Sequence, residues 1–166
     1  MSNTFVTVDG IDCNVPESHP FRASLMSHKT RHAAYKYELV ISIRAGDICF
    51  VNGGGVEAET ADITLSRDFL VYVLVVGEKI VADKGYEDGF EYFPTPLEAT
   101  VENAAANAMM KRWRARHETA NGRMRSFYIL KSPFRASRLK HSIYFMAVAI
   151  IVQLSIRSGH SLFDKR

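Results

Sequence analysis

Three acidic residues occupy positions from which their carboxylates could act in one reaction. Asp9 lies near the end of one predicted strand, Asp83 ends another strand 74 residues later, and Glu118 follows after 35 more residues in a predicted helix. Converging carboxylates repel one another unless cations neutralise them. Their oxygen atoms suit Mg²⁺ or Mn²⁺, and two such ions about 3.5–4 Å apart serve in-line attack on a phosphodiester. The chain holds 18 acidic residues, so these three are one choice among many until other features select them.

Four predicted strands form the framework that would position these acids. The first, rich in β-branched residues, ends near Asp9, and the short apolar fourth strand ends at Asp83. If these two strands are parallel neighbours, their carboxyl ends place both acids at one edge of the sheet. The second and third strands read as a hairpin about Ala45 and Gly46, and residues 52–55 (NGGG) then form a turn. The strand segments are residues 4–11, 35–44, 47–52 and 78–83.

Three predicted helices would cover this sheet. Residues 61–76 place apolar side chains at helical spacing, and the Ala-rich segment from residue 98 to about 127 predicts a long helix. Residues 139–157 are apolar almost all round, which predicts a central helix, and residues 158–166 form a short tail. The order of the elements predicts a mixed α/β domain.

The net charge of +3 hides two opposed parts of the chain. Residues 1–110 carry 8 basic and 16 acidic residues, whereas residues 111–140 carry 10 basic residues and the single acid Glu118. Such asymmetry indicates an anionic partner, with nucleic acid as the first candidate. The alternative explanation is a charged helix face that simply contacts solvent.

The long helix gathers polar and basic side chains around Glu118. Arg114, Asn121 and Arg125 share its helical face, so they would point in the direction of the carboxylate and could position a phosphate. A neighbouring apolar stripe would pack on the sheet: Met110, Trp113, His117, Met124 and Phe127. The remaining basic residues that extend the positive surface are Arg112, Arg116 and Arg123.

Length and composition favour one domain with a substantial core. The chain has 166 residues, of which 47% are hydrophobic, and only two cysteines. No leader-like segment precedes the first strand, so a reducing intracellular compartment is expected. The most apolar stretch, residues 143–156, is shorter than the roughly 20 residues of a spanning helix. We therefore expect it to be buried, with no membrane as a partner.

Three segments in order resemble the conserved blocks of a known enzyme family. Residues 8–13 (VDGIDC), 81–86 (VADKGY) and 116–123 (RHETANGR) resemble those of DDE superfamily endonucleases of the PIF/Harbinger transposase type. Residues 141–149 (HSIYFMAVA) are similar to the closing block of that family. The resemblance implies a ribonuclease-H-like fold, shared with retroviral integrases, in which a mixed sheet is flanked by helices.

The same resemblance implies a chemistry and its residues. Asp9, Asp83 and Glu118 would be the catalytic triad that holds two Mg²⁺ or Mn²⁺ ions. The reaction would be hydrolysis of a DNA phosphodiester, followed by attack of the freed 3′ hydroxyl on target DNA. Arg114, Asn121 and the nearby arginines would bind the DNA strand.

The resemblance also implies partners and a location. Transposases of this type carry a helix-turn-helix region ahead of the catalytic domain, and this chain begins a few residues before its first strand. We therefore expect one catalytic domain over residues 1–166, targeted to DNA by a separate DNA-binding protein in the nucleus. The oligomeric state stays open between a monomer and a homodimer.

Several alternatives remain open from the sequence. A domesticated, non-catalytic nucleic-acid-binding or scaffold protein could keep the fold, and an inactive remnant is a third option. His28 and His32, four residues apart, could form a zinc site with Cys13 and His19, although this spacing matches no known zinc pattern.

Three further residues near the expected site have simpler interpretations. Asp62 resembles an additional acid of the family, but we prefer the role of a helix N-terminal acid that complements the helix dipole. Asp12 is expected on a solvated loop. His117, beside Glu118, is expected to be packed rather than catalytic.

Overall fold

A four-stranded mixed sheet forms the centre of the protein, in the order β3-β2-β1-β4. The structure is a computed structural model that describes residues 4–89 and 91–163. Strand β1 pairs antiparallel with β2, which pairs antiparallel with β3, while β4 runs parallel to β1. The predicted mixed α/β class is confirmed. The strands are β1 (Thr4–Asn14), β2 (Ala34–Ser42), β3 (Ile48–Glu57) and β4 (Lys79–Val81).

Strand β1 is longer than the sequence predicted. It continues past Asp9 to Asn14, because residues 6–14 pair without interruption with β2. Asp9 therefore lies in the middle of a strand rather than at its end. Asp12 was expected on a solvated loop, but it also lies in β1 and is only 4% exposed.

The predicted hairpin of β2 and β3 is confirmed, but the predicted turn at residues 52–55 is wrong. These residues belong to β3, which continues to Glu57. Gly53 makes this pairing feasible, since its φ is +96° and a Cβ there would lie 2.7 Å from the carbonyl oxygen of Lys36. Glycine is the residue that tolerates both conditions. The strand pairing shifts register at this point, between Lys36 and Glu38.

Helical turns cover one face of the sheet between β3 and β4. Helix α1 (Asp62–Leu65) continues directly into a π turn (Ser66–Leu70) and a 3₁₀ turn (Val71–Val73). The prediction of a helix in this region is confirmed, although the observed segment ends three residues earlier. Buried Val8, Leu70 and Ile80 form part of the apolar cluster on this face.

The remaining helices cover the opposite face. They are α2 (Ala104–Ser126), α3 (Tyr128–Lys131) and α4 (His141–Arg157). Helix α2 begins six residues later than predicted. The side chain of Asn107 explains the late start, because it bonds both the N–H and the carbonyl of Leu97 and fixes the preceding loop against the first turn of the helix. The apolar stripe of α2 packs inward as expected, with Met110, His117 and Met124 buried.

Helix α4 packs on the sheet with one face only. Phe145, Val148 and Val152 are buried against the sheet, whereas Ile150 and Leu154 are more than half exposed. The expectation of a buried, central helix therefore holds for one face of α4 only. The stretch Arg138–Arg157, at 20 residues, also meets the length and composition of a membrane-crossing helix, which corrects the argument from short length. Core helices of soluble proteins pass the same criteria.

The segment after α4 packs against the domain rather than forming a tail. Leu162 is only 6% exposed and joins the core between the sheet and α4. Phe163 approaches Gly46 in the β2–β3 turn. The guanidinium carbon of Arg116 lies over the Phe163 ring, 3.7 Å from the ring centroid. Residues 164–166 of the predicted tail lie outside the described residues.

Candidate active site

Asp9 and Asp83 follow equivalent positions on two parallel strands. Thr7 of β1 pairs with Val81 of β4, and each acid lies two residues beyond its member of that pair. The structure therefore brings the two acids together, because the parallel pairing on which this expectation depended is present.

Asp9 is a partly buried carboxylate with two hydrogen-bond donors. The backbone N–H of Gly10 donates to Oδ1 at 2.9 Å, and Nδ2 of Asn121 on α2 donates to Oδ2 at 3.1 Å. Burial raises the pKa of Asp9 to about 6; nearby Asp83 and Asp62 also raise it, while Lys29 lowers it. Negative charge on Asp9 is thus disfavoured unless a cation is close.

Asp83 sits at the start of the turn that follows β4. Its Oδ1 accepts the backbone N–H of Gly85 at 2.8 Å, which caps the 3₁₀ turn Lys84–Tyr86. Its Oδ2 lies 3.6 Å from Nη2 of Arg114 on α2. Helix α2 therefore contacts both acids, through Asn121 at Asp9 and through Arg114 at Asp83.

Asp62 is a third acid of this region, and its preferred interpretation from sequence was incomplete. It begins α1, as expected, but its side chain reaches toward the first two acids. A Cβ on Gly10 would lie 3.0 Å from Asp62 Oδ1, and a Cβ on Gly85 would lie 3.7 Å from Asp62 Oδ2 and 3.0 Å from Asp83 Oδ1. Both glycines leave room for the carboxylates. The family-like spacing from Gly55 to Asp62 was the sequence signal for this position.

Two lysines neutralise Asp62. Lys36 Nζ lies 2.7 Å from Asp62 Oδ1, and Lys29 Nζ lies 3.1 Å from Oδ2. Burial alone would raise the pKa of Asp62, but the two ammonium groups outweigh it and hold the pKa below its usual value. Nothing in the sequence pattern indicated either lysine.

Asp12 adds a fourth carboxylate at the rim of this region. The hydroxyl of Ser27 donates to its Oδ2 at 2.5 Å, and Arg125 Nη2 donates to its backbone carbonyl at 3.5 Å. Arg125 thus joins Arg114 and Asn121 on the face of α2 that meets the acids. The predicted shared face of these three residues is confirmed.

Glu118 lies on the same face of α2, but its side chain is exposed. It follows Arg114 by four residues and precedes Asn121 by three, so it stands between the two residues that contact Asp83 and Asp9. Within residues 4–89 and 91–163, no three His, Cys, Asp or Glu side chains lie close enough together to hold a metal ion. The structure thus brings together two of the three predicted acids, and the role of Glu118 stays a prediction.

The other predicted DNA-binding arginines differ in their surroundings. Arg116 donates to the carbonyl of Ile43, and Arg123 donates to the carbonyls of His160 and Ser161. Both guanidinium groups therefore hold other parts of the chain. Arg112 is exposed.

The histidines do not form the alternative zinc site. Cys13 is buried, whereas His28 and His32 are exposed. His117 is 1% exposed, and burial lowers its pKa to about 4, so it is a neutral, packed side chain as expected.

Comparison with models of known protein families shows which family the chain belongs to. The model of the DDE superfamily endonucleases matches residues 8–153, which is most of the chain. The chain belongs to the DDE superfamily endonucleases. No curated protein and no solved structure matches it. The matched region of this DDE endonuclease domain runs from β1 into α4 and includes every acid described above.

Membership places the domain among transposase-like nucleases, a family that acts on DNA and generally uses divalent metal ions. The residues around Asp9 suit such an ion chemically. Asp9 and Asp83 supply hard oxygen ligands, and the buried Oδ1 of Asn121 has no hydrogen-bond partner among the described residues. Asp9 and Asp83 are the residues that would hold the ion.

Proposed function

We propose that this domain is the catalytic core of a Harbinger-type DDE transposase with a ribonuclease-H-like fold. Its reaction is hydrolysis of a DNA phosphodiester, followed by attack of the freed 3′ hydroxyl on target DNA. The observation that carries the proposal is that Asp9 and Asp83 each lie two residues beyond the paired residues Thr7 and Val81 of two parallel strands, with α2 contacting both acids. The mixed sheet with helices on both faces supports the fold assignment.

Asp9, Asp83 and Glu118 are the proposed ligands of two Mg²⁺ or Mn²⁺ ions. Bound divalent ions would supply an activated nucleophile and neutralise the leaving oxygen. Asn121 orients the Asp9 carboxylate through its 3.1 Å hydrogen bond. Arg114, near Asp83, keeps positive charge at the place where a phosphate would enter.

The proposed DNA contacts follow the exposed basic side of α2. Arg114 and Arg125 flank the acids, and Arg112 extends this surface. Such contacts bind phosphates without reading sequence. We therefore propose that a separate DNA-binding protein targets the domain in the nucleus. Measurement of the mass of this domain in solution would show whether it is a monomer or a homodimer.

The test is cleavage of labelled DNA in the presence of Mn²⁺. We expect the wild-type protein to cut the strand, and Asp9→Asn, Asp83→Asn and Glu118→Gln each to abolish cutting. Glu102→Gln, just before α2, removes one acid outside the site and is the matched control. Equal activity in wild type and Asp83→Asn would contradict the triad.

A non-catalytic, DNA-binding or scaffold role is the second candidate. It is favoured by the exposed side chain of Glu118 and by the lack of a complete three-ligand cluster in the described part of the chain. This candidate predicts that neither the wild type nor any variant cuts DNA. It also predicts that DNA binding persists in Asp83→Asn.

A further inference from the structure

Three carboxylates interact where β1, α1 and the turn after β4 come together, and a fourth lies nearby on β1. Asp9, Asp62 and Asp83 interact electrostatically, and Asp12 lies on the neighbouring part of β1. We call these four residues the carboxylate cluster. Like charges this close destabilise one another, so the metal-free protein needs a cation of its own there.

Lys36 is the fixed cation beside the cluster. Its side chain, on β2, is only 7% exposed and lies 2.7 Å from Asp62 Oδ1. Its ammonium also donates to the backbone carbonyl of Thr60 at 2.5 Å. A buried ammonium with two such partners cannot leave without stranding Asp62, so Lys36 is part of the structural framework.

Lys29 is a cation of a different kind. Its side chain is 50% exposed and forms one ion pair, at 3.1 Å, with Asp62 Oδ2. The ammonium also interacts with Asp9 and Asp12, so its charge acts on three of the four carboxylates. It can move into solvent without breaking any buried contact.

The loop that carries Lys29 is fixed, although the lysine side chain is exposed. Ser27 Oγ accepts the backbone N–H groups of Lys29 and Thr30 while it donates to Asp12. The strand-like pairing of Met26 with Ala33 closes the loop. The backbone therefore holds Lys29 beside the carboxylates whether or not its ammonium stays in contact.

We infer that Lys29 is an exchangeable internal counter-ion, which neutralises the carboxylate cluster in the metal-free protein and leaves it when a divalent cation binds. The inference rests on the proposed function, since it assumes that Asp9 and Asp83 bind the ion. Burial alone would lower the pKa of Lys29, but Asp62, Asp9 and Asp12 outweigh it and raise the pKa. The ammonium is therefore charged at neutral pH and repels a divalent cation that binds at nearby Asp9.

The first test measures the Kd for Mn²⁺ by calorimetry, without DNA. We expect Lys29→Met to bind Mn²⁺ about tenfold more tightly than wild type, because a competing positive charge is gone. Lys29→Arg keeps the charge and should stay near the wild-type Kd. Lys131→Met, which removes an exposed lysine on α3, is the control for net charge. An unchanged or weaker affinity in Lys29→Met would overturn the inference.

The second test uses the wild-type protein, so it does not depend on the folding of a variant. Amine acetylation read by mass spectrometry should rise at Lys29 when Mg²⁺ is added, because the released amine is more reactive. Labelling of Lys131 should stay constant. Equal labelling of Lys29 with and without Mg²⁺ would contradict the exchange.

The two tests separate this inference from the proposed nuclease function. DNA cleavage with no change of Mn²⁺ affinity in Lys29→Met would overturn the role of Lys29 alone. Tighter Mn²⁺ binding in Lys29→Met without any DNA cleavage would overturn the nuclease and keep the exchange. If Asp9→Asn and Asp83→Asn bind Mn²⁺ as wild type does, both proposals fail.

Discussion

Two glycines decide how closely the acids approach one another. Gly10 follows Asp9 on β1, and Gly85 lies in the turn after β4. A Cβ at either position would lie 3.0 Å from a carboxylate oxygen, of Asp62 for Gly10 and of Asp83 for Gly85, so that carboxylate would have to shift. Neither has a positive φ, so space rather than backbone conformation is the constraint there. The approach of Asp62 to the other carboxylates therefore depends on two missing Cβ atoms.

We predict that Gly10→Ala displaces Asp62 from its lysines. The new Cβ would lie 3.0 Å from Asp62 Oδ1, inside normal contact distance. Overpacking of this kind costs about 1–3 kcal/mol of the free energy of unfolding, which urea denaturation measures. Gly54→Ala, also in a strand, places its Cβ 3.8 Å from Ser142 and is the matched control. Equal unfolding midpoints for the two variants would disprove the steric argument.

At the scale of elements, polar side chains of β2 attach the helical segment that begins with Asp62. Lys36 and Glu38 are two residues apart and so face the same side of the sheet. Glu38 accepts the Ser66 hydroxyl at 2.7 Å and Nδ2 of Asn52 at 2.8 Å, and that amide also donates to the carbonyl of Leu65. Burial raises the pKa of Glu38 to about 7, despite these donors.

The raised pKa predicts how stability changes with pH. Folded Glu38 keeps its proton between its unfolded value of 4.5 and about 7, so stability falls as pH rises through this range. Glu38→Gln stays neutral, keeps a similar shape and avoids that loss. At pH 8 we expect the variant to be more stable than wild type by on the order of 2 kcal/mol, with equal stability near pH 4. Parallel pH profiles of the melting temperature for the two proteins would refute this origin.

Sequence patterns predicted the elements and the acid pair, but not the support around them. Apolar periodicity is a local signal, and it predicted the strands that carry Asp9 and Asp83. The parallel pairing that brings the two acids together is a long-range feature. The contact of Lys36 with Asp62 depends on the register of β2 against β3, which the glycines at 53–55 shift. Register and loop closure arise from long-range pairing, so the position of Lys29 could not be read from spacing. The family-like segments are the basis for the prediction of Glu118, and no sequence pattern indicated that its side chain would be exposed.

At the scale of the whole molecule, the opposed charges of the chain meet at one site. The acidic first 110 residues contribute the carboxylates, and α2 brings its basic side chains against them. Not all of this positive charge faces a ligand, because Arg116 and Arg123 bind backbone carbonyls of the domain. The usable phosphate-binding surface is thus smaller than the count of 10 basic residues in 111–140 indicated.

The salt dependence of DNA binding should report this division among the arginines. Each phosphate contact contributes about 0.9 to the magnitude of the negative slope of log K against log salt concentration. The double variant Arg114→Gln/Arg125→Gln should therefore reduce that magnitude by about 2. Arg123→Gln should leave the slope near wild type, since its guanidinium donates to the carbonyl of Ser161 at 2.6 Å. The double variant Lys131→Gln/Arg157→Gln is the control for net charge. It also removes two positive charges, but from exposed positions away from the acids. Fluorescence anisotropy with one duplex over a range of salt concentrations measures all four proteins. A similar fall in slope for the control pair would mean that diffuse charge, rather than the basic face beside Asp9 and Asp83, binds the DNA.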